Sequence, residues 1–238
     1  TTQVIPALAD AAPDGKTVAK GDAFEEWKES VWETTKNDWT IVSLTPGSDE
    51  SQMNFAWYSK QGDEVTFKYG KQKDLSDAAT IKVSQTETGQ VDNEGISYVS
   101  NKVVITGLEA DTVYYYQVSG KNIESFTTGN TDSFTFAFVG DPQIGSSNEL
   151  KAKKPENLTE EFYQVQSDSV ASDSYNWSDT LNKALEKNSN INFIVSAGDQ
   201  IQTNAKKVED TTISEIEYAG YLLPKALTSL PVATTVGN

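Results

Sequence analysis

The chain has no cysteine and no histidine, and only 19 basic residues against 35 acidic ones in a length of 238. Without cysteine, neither a disulfide framework nor a thiolate metal centre can form. A formal charge of −16 argues against binding to nucleic-acid phosphates and against docking on an anionic membrane, since both need basic footprints. No apolar run reaches the roughly 20 residues needed to span a bilayer. What remains is an acidic chain with 37% hydrophobic residues, long enough for two domains that each bury a core.

Residues 1–37 read as a loose leader followed by a helix. Asp22 is placed to cap it, with Glu25 three residues on, and Phe24, Trp27, Val31 and Trp32 recur at helical spacing as a stripe that packs on the next domain. From residue 38 to 130 the texture changes to short alternating strands, at 40–44, 53–58, 64–69, 80–84, 102–106, 112–119 and 122–126. Separated by Gly, Asp, Asn and Ser turns, they predict an antiparallel β-sandwich. Within it, Leu108–Tyr114 forms a corner in which the tyrosine hydroxyl can bond back to nearby backbone. After residue 131 strands at 134–139 and 193–197 alternate with helices at 178–187 and 213–223, and a further apolar run begins at Pro231. That succession predicts parallel pairing. The polar segment 146–176 is expected to be a surface loop, with a short helix at 160–166.

Three apolar strands share one ending. Gly140-Asp141, Gly198-Asp199 and Gly237-Asn238 each place a hard oxygen donor just after a strand. The run from Asn192 to Asp199 reads as a strand buried on both faces. Parallel pairing would set all three donors along one sheet edge, where ligands of open α/β sheets bind. A single Gly-Asp after a strand is usually turn chemistry; three at equivalent strand ends carry more weight. Two carboxylates and an amide suit a hard or borderline divalent cation, and a bridging carboxylate can hold two ions about 3.5–4 Å apart.

Together Gly140-Asp-Pro-Gln143, Gly198-Asp199 and Gly237-Asn238 resemble the first three motifs of the calcineurin-like metallophosphoesterases. A leucine, a turn, a threonine and a tyrosine at Leu108–Tyr114 resemble the fibronectin type III pattern, and such a domain placed before the motifs is similar to the purple acid phosphatase branch. The resemblance implies a multidomain chain. A fibronectin III/Ig-like sandwich over 38–130 is followed by the first half of an α/β metallophosphoesterase domain over 131–238. It further implies two divalent metals (Mn, Zn or Fe), with Asp141 on the first and Asp199 bridging both. Asn238 would bind the second metal and touch the substrate phosphate. Gln143 stands where many members place a metal-binding histidine, and is either a further ligand or a loop side chain that caps the next turn. Gln202 stands where purple members carry a tyrosine, so a purple di-iron centre is not implied.

In the family a general-acid histidine directly follows the position of Asn238, so no catalytic residue is expected within this chain. The implied activity is metal-dependent hydrolysis of a phosphoester by the intact protein. The chain itself is expected to be an inactive fragment, completed by a second chain or a C-terminal segment, because a parallel sheet of only three strands exposes an apolar edge and face. The rival expectation is a surface binding or adhesion protein with a degenerate phosphoesterase domain. An extracellular or cell-surface location follows from the resemblance and the sandwich.

Overall fold

The computed structural model describes residues 18–92, 94–130, 132–147, 159–203 and 208–237. Two compact units are each drawn from three stretches: Asp38–Gly140 with Asn190–Gly198 and Lys225–Asn238, and Thr1–Asn37 with Asp141–Ser189 and Asp199–Pro224.

The first unit is built of strands. β1 (Ser43–Pro46), β2 (Met53–Lys60), β5 (Ser84–Val91) and β6 (Ser97–Ile105) form one antiparallel sheet in the order β1-β2-β6-β5. β3 (Phe67–Gly70), β4 (Ala79–Ile81), β7 (Val113–Val118) and β8 (Glu124–Thr127) form another, in the order β4-β3-β7-β8. The period of two in β2 decides its orientation: Met53, Phe55, Trp57 and Ser59 are buried, and the residues between them are not. Met53, Phe55 and Trp57 meet Phe67, Tyr114, Tyr116, Val118 and Phe126 of the other sheet in a shared core. Phe55 sits at its centre, its ring centroid 4.7 Å from Phe67 and 4.9 Å from Tyr116.

One expected strand, 80–84, divides into β4 and the start of β5. Ser-Gln-Thr-Glu-Thr-Gly-Gln-Val shows no apolar alternation, because β5 is the outer strand of its sheet and stays largely exposed. Its ladder to β6, not burial, makes it a strand. The corner at Leu108–Tyr114 closes as its residues suggest, with Tyr114 buried and its hydroxyl accepting from the Glu109 backbone N–H at 3.0 Å. Tyr114→Phe is expected to cost about 1 kcal/mol, the net worth of one such bond. A shifted urea midpoint with an unchanged slope would show it; an unchanged midpoint would mean that water replaces the hydroxyl freely.

β9 (Thr135–Val139), β10 (Ile191–Ser196) and β11 (Val232–Thr234) complete this unit in the order β11-β10-β9, with both pairings parallel. Burial on both faces does not hold. Ile194 and Ser196 are fully buried, whereas Phe193 and Val195 between them are half-buried. Phe134, just before β9, and Phe136 and Phe138 within it are 58, 47 and 70% exposed. Phe136 stacks on Phe193 at 5.4 Å, so the uncovered face is continuous across the two strands. One face of the sheet carries the core, and the other presents aromatic rings.

The second unit is helical. α1 (Asp22–Trp27) runs through the π-helical turn Lys28–Trp32 into α2 (Glu33–Thr35), and α3 (Glu160–Lys187) and α4 (Val208–Leu222) complete it. Gly21, not Asp22, occupies the N-cap of α1, with no side-chain cap. The aromatic stripe packs on α3: Phe24 and Trp27 each lie 5.4 Å from Tyr175, and the Trp32 indole donates to Ser167 Oγ at 3.1 Å.

α3 corrects the expectation of a loop over 146–176, of which 148–158 lie outside the described residues. Thr159 caps the helix by accepting from Phe162 N–H at 3.1 Å. Its buried residues are Gln166, Ser167, Ser169, Val170, Ala171, Ser172, Ser174, Trp177 and Leu181, and the four serines among them carry almost no hydropathy signal. What they permit is close approach. Ser174 donates to the Gly220 carbonyl at 2.7 Å, and a Cβ on Gly220 would fall 2.5 Å from Val170 Cγ1. Among the described residues no helix is long and apolar enough to cross a membrane.

Candidate metal centre

Gly140 directly follows β9, and Gly198 follows β10 after Ala197. Gly198 has φ 106, and a Cβ there would lie 2.9 Å from Gly237 Cα, so the backbones before Asp199 and Asn238 approach each other directly. Only glycine fits such a contact. Asn238 itself lies outside the described residues.

Beyond the strands the two loops remain paired. Gln143 N–H donates to the Asp199 carbonyl at 2.9 Å, Ile144 N–H to the Gln200 carbonyl at 3.1 Å, and Gln202 N–H to the Ile144 carbonyl at 3.1 Å. Ile144 and Ile201 form a parallel bridge, and Ile144 is 1% exposed. The loop bearing Asp141 and Gln143 is therefore laid against the loop bearing Asp199. All three residues take left-handed backbone, with φ of 47, 38 and 48 respectively. For residues other than glycine such conformations cost of order 1–3 kcal/mol and gather at functional sites. Asp141 is exposed, while Gln143 and Asp199 are half-buried.

The donors offered are two carboxylates and one amide oxygen. No group of three His, Cys, Asp or Glu side chains gathers among the described residues. An all-oxygen set of this size fits one hard divalent ion with water completing its shell. It falls short of two.

Behind the loops stands a pair of acids that sequence reasoning missed. Glu217 of α4 is fully buried, and burial pushes its carboxyl up to about 7 against the pull of its donors. Burial also raises the carboxyl of Asp173 on α3. In the sequence Glu217 sits in an ordinary stretch, Ser-Glu-Ile-Glu-Tyr. The available signal was its spacing of four from Ile213, which puts it on the apolar stripe.

Comparison with known proteins adds the relation. Residues 40–139 match the family described as the purple acid phosphatase N-terminal domain. Among solved structures, the chain is similar to purple acid phosphatase PPD1 from yellow lupin (Lupinus luteus) seeds, with 12% identity and a TM-score of 0.52. The similarity covers 83% of this chain and 35% of that one, so the chain spans about a third of the length of the lupin protein. No curated protein matches the chain. The likeness is to the N-terminal portion of purple acid phosphatases.

Proposed function

We propose that this purple acid phosphatase-like chain belongs to a metal-dependent phosphoester hydrolase and supplies oxygen ligands to its metal centre. The observation that supports it is the tie between Gln143 N–H and the Asp199 carbonyl, which sets two strand-end loops side by side with left-handed backbone at Asp141, Gln143 and Asp199. In this reading residues 38–130 are the fibronectin III-like domain, and 131–238 begin the α/β phosphoesterase domain. Asp141 and Gln143 hold one ion, Asp199 reaches the position between two, and Asn238 serves the second ion and the substrate phosphate. The ions (Mn, Zn or Fe) supply water activation and neutralise charge on the phosphoryl group.

This chain's own residues bind and orient. With no histidine, they offer no imidazole to protonate a leaving group. Further ligands and the acid therefore come from a second chain or a C-terminal segment, and the exposed phenylalanine face of β9 offers such a segment an apolar surface to pack on. The chain alone is inactive, and the intact protein acts at the cell surface or outside the cell. A surface binding protein with a degenerate site is the competing reading, favoured by Gln143 at a position where family members carry histidine.

Titration with Mn²⁺, followed by the loss of the free-ion electron paramagnetic resonance signal, separates the two. One saturable site is expected, and Asp199→Asn should weaken it by about tenfold or more, some 1.4 kcal/mol. An absence of saturable binding, or equal binding by the variant, would favour the degenerate reading.

A further inference from the structure

We propose that Glu217 and Asp173 are positioning residues that clamp the two ligand-bearing loops to the helix pair α3–α4 and so fix where Asp141, Gln143 and Asp199 stand. The inference rests on the reading of those three as ligands, and it is carried by the hydrogen bonds behind them. Glu217 accepts from Thr203 N–H at 2.7 Å and from the Thr203 hydroxyl at 2.8 Å. Thr203 lies four residues after Asp199. Glu217 also accepts from the Gln166 amide at 2.7 Å, and the same amide nitrogen donates to the Gly145 carbonyl at 3.0 Å. Gly145 lies two residues after Gln143. Asp173 accepts from Gly145 N–H at 2.8 Å and from Ser147 N–H at 3.2 Å. One run of polar contacts thus leads from Asp173 through Gly145, Gln166 and Glu217 to Thr203, touching both loops.

A carboxylate buried beside Ile213, Ile216 and Ala219 on its own helix is costly to keep, and an apolar side chain would pack there at less expense. Its retention is explained by what it holds. Among the described residues, every donor that Glu217 uses comes from the loop after Asp199 or from the side chain that also grips the loop after Gln143. The seat is tight: Gly145 has φ 101, and a Cβ there would lie 2.5 Å from Gln166 Nε2 and 2.7 Å from Glu217 Oε1. Gly145 therefore lets its loop descend onto the clamp. A helix that needed only packing would not require a glycine opposite its carboxylate.

The test is run at about pH 8, where the Glu217 carboxyl is ionised, and compares the full chain with Glu217→Gln, which keeps the volume but turns one acceptor into a donor facing donors. Gln166→Ala, which frees Gly145, serves as a second variant should the first fail to fold. Amide hydrogen exchange is read residue by residue. Expected is exchange about tenfold faster at Gln143, Ile144, Gln202 and Thr203, with β2, β6 and β7 unchanged. Mn²⁺ affinity should fall several-fold in the same variants. Exchange that rises uniformly along α3 and α4 without favouring the loop amides, or does not rise, would overturn the clamp and leave the ligand reading intact. Conversely, a wild-type chain that takes up no Mn²⁺ removes the ligand reading, while the exchange comparison still decides whether the loops are clamped.

Discussion

Raising the pH from about 5 to about 8 is expected to lower the urea midpoint of the helical unit, followed by far-ultraviolet circular dichroism. The cause is Glu217. Its ordinary value is 4.5, and in the fold burial raises it to about 7, with the neighbouring charge of Asp173 acting in the same direction. Below 4.5 the carboxyl is protonated in both states, and its contribution to stability is fully present. As pH rises between the two values, the unfolded chain releases the proton while the folded chain retains it, so unfolding gains. Above about 7 the contribution is lost. The gap corresponds to roughly 3 kcal/mol, a large fraction of the stability of an ordinary domain. Glu215, also raised to about 7 by burial, acts in the same sense but less, because it stays partly in contact with solvent. The carboxylates lowered by hydrogen bonding, Asp49, Asp74, Asp77 and Asp92, are ionised in both states across this range. A midpoint that climbs with pH would show that the three donors on Glu217 outweigh its burial.

Phe55→Ala should cost about 3–5 kcal/mol of stability in the β unit, the cost of emptying a large aromatic site that neighbours fill only in part. Phe55 is 1% exposed and touches rings from both β3 and β7, with Phe126 a third neighbour at 5.9 Å. Little can move in to replace it. Phe67, Tyr116 and Phe126 are themselves packed on one another, and Tyr116 is anchored by its hydroxyl, which donates to the Thr228 carbonyl at 2.8 Å. Urea denaturation followed by near-ultraviolet circular dichroism reads the loss. A change under about 1 kcal/mol would mean that the core collapses around the cavity, contrary to the packing described.

The parts legible in the sequence were those where one side of an element is apolar and the other is not. β2 alternates, and it was placed to within two residues. Tyr114 was legible through the leucine, turn and threonine before it. The strand-end glycines were legible because a sharp turn after an apolar run has few other solutions. β5 was not, since an outer strand that buries nothing leaves no period to read. Nor was the stretch of α3 between the helices expected at 160–166 and 178–187, where Ser167, Ser169, Ala171, Ser172 and Ser174 are buried; close approach of two helices selects for small size, to which hydropathy is blind. At the candidate site the pairing of the loops that bear Asp141, Gln143 and Asp199 followed from parallel strands. The clamp was hidden, because a buried glutamate and a surface glutamate are the same letter until the donors around it are known.

The left-handed backbone at the site narrows the alphabet that each position can draw on. Aspartate and asparagine enter that region more cheaply than other residues with side chains. At φ of 47 and 48, Asp141 and Asp199 are therefore over-determined: backbone and ligand chemistry would select the same letter. Glutamine has no such affinity for the region, yet Gln143 holds φ 38. Of the three positions it is the one whose identity the backbone does not explain, so the proposed ligand role bears most on that residue.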